Sequence, residues 1–142
     1  MSKQKGFSLI ELLIVVAIIL IIAANEASAV GSIRTINTSE ITYASTYPDV
    51  GFAGLTALGG AGGTSAGAGL LDSVLGCASG TCTKSGYSFN VATTGTAPIS
   101  AYTVVGNPSN AQTGQRHFFS DQSGVIRYNS SAAATVTDSP LQ

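Results

Sequence analysis

Charge is scarce in this chain: six Lys and Arg and seven Asp and Glu among 142 residues, 9% of the whole. So thin a supply excludes the clustered basic face that a nucleic-acid partner requires. It also suits an exported, subunit-packed surface better than a cytosolic enzyme. Cysteine and histidine are scarcer still, two and one. A structural zinc site needs about four protein ligands, so Cys77, Cys82 and His117 do not make one, and no metal or cofactor is expected. His117 is the one side chain suited to general acid-base work near neutral pH, and Asp121 follows four residues on. No nucleophile is marked beside them, and a lone His next to Phe118 and Phe119 reads as a packed or surface residue; no catalytic residue is expected. Glycine is plentiful, but no G-x-x-x-x-G-K-[ST] occurs, which excludes a phosphate-cradling loop of that kind. Proline is absent before Pro48, so nothing in the first third of the chain breaks a helix.

What is present begins at Lys5-Gly6-Phe7-Ser8-Leu9-Ile10-Glu11 and runs apolar to Ala24. The 18 residues from Phe7 to Ala24 would span about 27 Å as a helix, close to the thickness of a hydrocarbon core. Glu11 is their only charge. An ionised acid in that setting costs about 2.5 kcal/mol or more, so it calls for a named partner. An amine is the natural one: a cut after Gly6 would create an α-amino group on Phe7, one helical turn from Glu11.

This stretch resembles the class III signal of type IV pilins and pseudopilins: a short basic leader, Gly, an N-terminal Phe, and Glu as fifth mature residue. The resemblance implies that a membrane prepilin peptidase and methyltransferase cuts between Gly6 and Phe7 and methylates the new amine. It further implies that Glu11 pairs with the Phe7 amine of a neighbouring subunit as inner-membrane machinery assembles a helical homo-oligomeric filament, first in the inner membrane and then outside the cell. Asn25 to Phe52 (NEASAVGSIRTINTSEITYASTYPDVGF) resembles the second half of the long pilin helix, and Phe119 to Arg127 (FSDQSGVIR) resembles the last hairpin. The implied fold is α+β: a long N-terminal helix, half membrane-inserted and half amphipathic, packed on a small antiparallel sheet. One departure stands out. The matching subgroup carries about three further helical turns, with a Pro and a basic cluster, between the membrane segment and Asn-Glu-Ala-Ser-Ala-Val-Gly; here Ala24 runs directly into Asn25. A minor pilin or a secretion pseudopilin shares the same signal.

Two other readings fit the N-terminus. A plain signal anchor explains the apolar run but not Glu11. A secretory signal peptide would use Lys3 and Lys5 as its n-region and Ala27-Ser28-Ala29 as its cleavage pattern, releasing a soluble binding domain from Val30. An 18-residue segment is long for an h-region, and a Glu at its head has no purpose there. Loss of Lys3 and Lys5 with a leader takes the formal charge from -1 to -3.

The chain divides into a leader at 1–6, a membrane and assembly helix at 7–24, an amphipathic helix at 25–48, a Gly-rich connector with a Cys loop at 49–86, and an antiparallel sheet at 87–142. Ala27, Val30, Ile33, Ile36, Ile41, Ala44 and Tyr47 recur at near-helical spacing, giving one helix from about Ser8 to Tyr47 that Pro48 ends. Gly31 inside it costs about 1 kcal/mol relative to Ala. Eight glycines between Gly51 and Gly69 predict a flexible connector with no regular element, followed by one short helical turn over Leu70 to Leu75. Cys77 and Cys82 predict a disulfide in an exported chain, worth about 2 kcal/mol for so short a loop. Tyr87 to Ala92, Ala101 to Val105, Gln115 to Ser120 and Val125 to Asn129 read as a four-stranded meander whose last turn is Asp121-Gln122-Ser123-Gly124. The tail from Ser130 is expected to lie exposed or as a weak edge strand. Asn37-Thr38-Ser39 and Asn129-Ser130-Ser131 match a glycosylation acceptor pattern by chance, and the ten aromatic residues serve core packing.

Overall fold

The computed structural model describes residues 5–142; the first four residues of the leader, Lys3 among them, lie outside the described residues. With no breaker in its way, helix α1 runs without interruption over Leu9–Thr46, 38 residues, about 57 Å at the usual rise. Its ends are chemically marked. Ser8, extended at φ -72° and ψ 155°, is the N-cap, and Tyr47 is the C-cap, its N–H donating to the Tyr43 carbonyl at 2.8 Å just before Pro48. These caps are the bounds the sequence predicts.

Six strands follow, β1 (Thr81–Lys84), β2 (Tyr87–Thr94), β3 (Ala101–Pro108), β4 (His117–Asp121), β5 (Arg127–Asn129) and β6 (Ser139–Pro140). They lie side by side in chain order, every neighbouring pair antiparallel. The molecule is therefore α+β, a long helix laid on an antiparallel meander. Alternation decides the buried face: Tyr87, Phe89 and Val91 from β2, Tyr102 and Val104 from β3, and Phe118 from β4 point inward. Against them α1 sets Ala29, Val30, Ile33, Ile36 and Tyr43.

Two expectations need correction. The sheet has six strands and begins at Thr81, not Tyr87: β1 and β2 are joined by Ser85-Gly86, a two-residue turn with φ of 51° and 75°, the paired left-handed geometry that suits the twist of a hairpin. The tail forms the weak edge strand that the sequence allows as one of two outcomes, β6 against β5, and Leu141 N–H donates to the Ile126 carbonyl at 2.7 Å. The glycine-rich connector is not free of regular structure. It contains helix α2 (Leu55–Leu58), whose Leu55 and Leu58 are fully buried, and Gly59 lies so close to Gly76 that a Cβ on Gly59 would meet the Gly76 carbonyl oxygen at 2.4 Å. Glycine is used there for backbone approach. Leu70 to Leu75 holds the single helical turn the sequence predicts: the Gly76 N–H donates to the Asp72 carbonyl four residues back at 2.7 Å, and Asp72 Oδ1 caps the turn by accepting from the N–H groups of Val74 (3.0 Å) and Leu75 (2.8 Å).

Candidate functional site

Lys5 to Ser8 form an exposed, non-helical lead-in to α1. Phe7 is 85% exposed. Gly6 has no positive φ, and a Cβ built on it would meet nothing within 4 Å. No steric demand inside the subunit therefore calls for glycine at position 6. Directly after the lead-in, Glu11 and Ser8 form a reciprocal capping box: the Ser8 N–H donates to Glu11 Oε2 at 2.9 Å, and the Glu11 N–H donates to Ser8 Oγ at 3.2 Å. The carboxylate thus sits at the positive end of the helix dipole and satisfies one of the free N–H groups there.

Beyond it the helix is bare. From Leu9 to Ile21 the large apolar side chains are between 45% and 73% exposed, and the most apolar 18-residue window has a mean hydropathy of 2.5 with none of its residues buried. By length and composition this helix can cross a membrane.

The second half of α1 is held to the sheet, its loops and the connector by polar side chains that an apolar-stripe reading passes over. Nearest the bare half, Asn25 Nδ2 donates to the Thr113 carbonyl at 2.9 Å. Glu26 Oε1 accepts from the N–H groups of Gln115 (3.1 Å) and Arg116 (3.2 Å), and its Oε2 accepts from Arg116 Nε at 2.8 Å. Burial pushes the Glu26 carboxyl up, but these hydrogen bonds and the guanidinium charge outweigh it and leave the pKa below the usual value. The same guanidinium lies 5.5 Å from the Phe118 ring centre and 5.4 Å from that of Tyr128, within cation–π range.

Higher up, Asn37 Nδ2 donates to Ser120 Oγ at 2.9 Å, and Asn37 Oδ1 accepts from the Tyr102 hydroxyl at 2.8 Å. One turn on, Glu40 has no exposed surface. Its Oε2 accepts from the Ala53 N–H at 3.0 Å, while Oε1 has no partner among the described residues. Burial raises its pKa from 4.5 to about 7, the Ala53 bond opposing only in part. Tyr43 completes the row, its hydroxyl donating to the Ser65 carbonyl at 2.6 Å.

Cys77 and Cys82 are joined by a disulfide with 5.8 Å between Cα atoms. Cys82 is buried in the core on β1, so the bridge ties the end of the connector to the sheet. His117 Nδ1 lies 2.8 Å from Asn107 Oδ1, and Asp121 Oδ1 accepts from the Ser123 N–H at 2.9 Å inside its own turn. The structure does not bring His117 and Asp121 into a common site. Among the described residues no three His, Cys, Asp or Glu gather as a metal site would require. Both acceptor-pattern asparagines have their amides engaged, Asn37 as above and Asn129 through a bond from Nδ2 to Asp138 Oδ1 at 3.0 Å.

Residues 1–24 match the family model described as the prokaryotic N-terminal methylation motif. Neither a curated protein nor a solved structure matches the chain. The motif and the helix behind it support a type IV pilin-family protein, a pilin-like or pseudopilin precursor. The motif points to a structural role, implies processing by prepilin peptidase and fits insertion in the inner membrane.

Proposed function

We propose, on the premise of a type IV pilin-family precursor, that this chain is the structural subunit of a pilus-like filament, assembled through α1 after cleavage between Gly6 and Phe7. The carrying observation is the bare half of α1: an apolar surface from Leu9 to Ile21 with no cover in its own subunit. Such a surface is stable only in lipid or against other apolar surface. The membrane covers it before assembly, and copies of the same helix cover it afterwards, outside the cell. Glu11 is the assembly residue. In the single subunit its carboxylate is occupied by the Ser8 N–H; in the filament it meets the methylated Phe7 amine of a neighbour, a charged partner that offsets its burial.

Gly6 supports the cleavage step, since the fold itself makes no demand for glycine there. The peptidase pocket, which admits only a small side chain, supplies the demand. Release of a soluble domain at Val30 has less support. Ala29 and Val30 are buried inside α1, and such a cut would discard Asn25 and Glu26 with their bonds to Thr113, Gln115 and Arg116.

N-terminal sequencing of the mature protein, in wild type and in Gly6→Leu, tests this reading. Phe7 or N-methyl-Phe7 is expected in the wild type, with unprocessed, membrane-inserted precursor in the variant. A mature terminus at Val30, or normal processing of Gly6→Leu, would overturn it.

A further inference from the structure

We propose that Arg34, on the outward face of α1, receives the Asp49 carboxylate of a second copy of this chain. The pairing rests on the filament reading above and names a contact within it. Nearly every charge in the molecule is already matched. Arg116 holds Glu26. Arg127 Nη1 donates to the Asp138 carbonyl at 2.9 Å, and the Asp138 carboxylate accepts from Thr135 and Asn129. Asp72 is held below its usual pKa first by the Leu75 N–H and, more remotely, by Lys84. Glu11 accepts from Ser8, Glu40 from Ala53 and Asp121 from Ser123. Of the charged side chains in the described mature chain, Arg34, Asp49 and Lys84 make no side-chain hydrogen bond or salt bridge, and of these three Lys84 already acts on a carboxylate of its own subunit, that of Asp72.

The surface around Arg34 is prepared for contact in two ways. Thr35, Thr38, Thr42, Ser45 and Thr46 are exposed, yet each hydroxyl donates back to a carbonyl of its own helix four residues earlier, at 2.8 to 3.0 Å. That face consequently has no hydroxyl donor in need of a partner, which lowers the cost of removing water from it. Gly31, one turn before Arg34, is exposed, and a Cβ there would meet nothing within 4 Å. Its missing side chain leaves room for another chain beside the guanidinium.

This face is continuous with the bare apolar half of the same uninterrupted helix, so copies that bundle through the one lie along the other. A cation enclosed there must meet an anion. Asp49 lies in the exposed turn just beyond the helix C-cap, 15 residues after Arg34, so the two copies are offset by about 22 Å along the helix axis.

The test is charge exchange in the full-length chain in filament-producing cells, reading the filament sheared from the surface against processed subunit in the membrane. Arg34→Asp and Asp49→Arg should each lower sheared filament by about tenfold or more while processed subunit stays constant, and the double exchange should restore it. Cysteines at 34 and 49 should cross-link copies into ladders on oxidation. Wild-type yield from both single variants, no recovery in the double, or recovery of Asp49→Arg by Lys84→Asp in place of Arg34→Asp would each overturn the pairing. Absence of any sheared filament from the wild type would remove the filament reading, and this contact with it.

Discussion

A carboxyl group with no exposed surface and one unpartnered oxygen, as at Glu40, makes the stability of the head depend on pH. Its folded-state pKa is raised from 4.5 to about 7. Below the lower value both folded and unfolded chains keep the proton and the contribution is fully present. As pH rises between the two, the unfolded chain releases its proton while the folded chain retains it, so stability falls; above about 7 the loss is complete, at about 3 kcal/mol. The full-length protein in detergent should therefore unfold at a temperature lower at pH 8 than at pH 5, by on the order of 10 °C. Glu40→Gln, which cannot ionise but can still accept from Ala53, should flatten that difference. Equal unfolding temperatures for the wild type at the two pH values would show that Glu40 titrates normally. Glu26 does not blur the test, because its pKa is shifted the other way, out of this window.

At the scale of the element, α1 holds the chief prediction. It carries no Pro and no Gly between Phe7 and Gly31, so a filament reconstruction should show helix retained from Leu12 to Asn25. A melted segment there would mean that subunit packing, not a breaker residue, drives helix loss. The helix was legible in the sequence because its evidence is local: an apolar run without breakers, and Pro48 after the end. Its buried face was half legible. Ile33, Ile36 and Val30 lie inside as their spacing suggests, but Ala27 and Ile41 face outward. The true seam passes through Ala29, Ile33, Ile36, Glu40 and Tyr43, alternating steps of four and three, with Glu26 and Asn37 buried beside it. A search for apolar residues misses three of those seven, whereas a search by position alone would have found Glu40. Strand β1 escaped because Cys82 is its one buried side chain, although Ser85-Gly86 was a turn signal in plain view. Strand β6, two residues long and ending in Pro, is the weak edge strand allowed for the tail; its position could not be read because so short a strand carries no alternation and Pro lowers its propensity. The packing of α2 depends on contacts distant in sequence, which no local pattern records.

For the whole molecule, two halves of one helix meet different surroundings. The head-bound half is satisfied within the subunit, and the bare half is satisfied only by lipid or by other copies. Glu11 sits at the start of the bare half. Glu11→Ala should still insert and still be cleaved, yet enter filaments inefficiently, read as the ratio of sheared to membrane-bound subunit. Assembly at the wild-type ratio would show that the carboxylate serves only to cap its helix. The rows of bonds at Glu26, Asn37 and Glu40 carry a mechanical consequence. They lie at successive levels along a helix with no hinge. Tension drawn along that helix loads all of them together in shear, like rivets along a seam, rather than peeling them apart in turn. The head is thereby built to stay on its stalk under a pull that would strip it if the same bonds were gathered at one end.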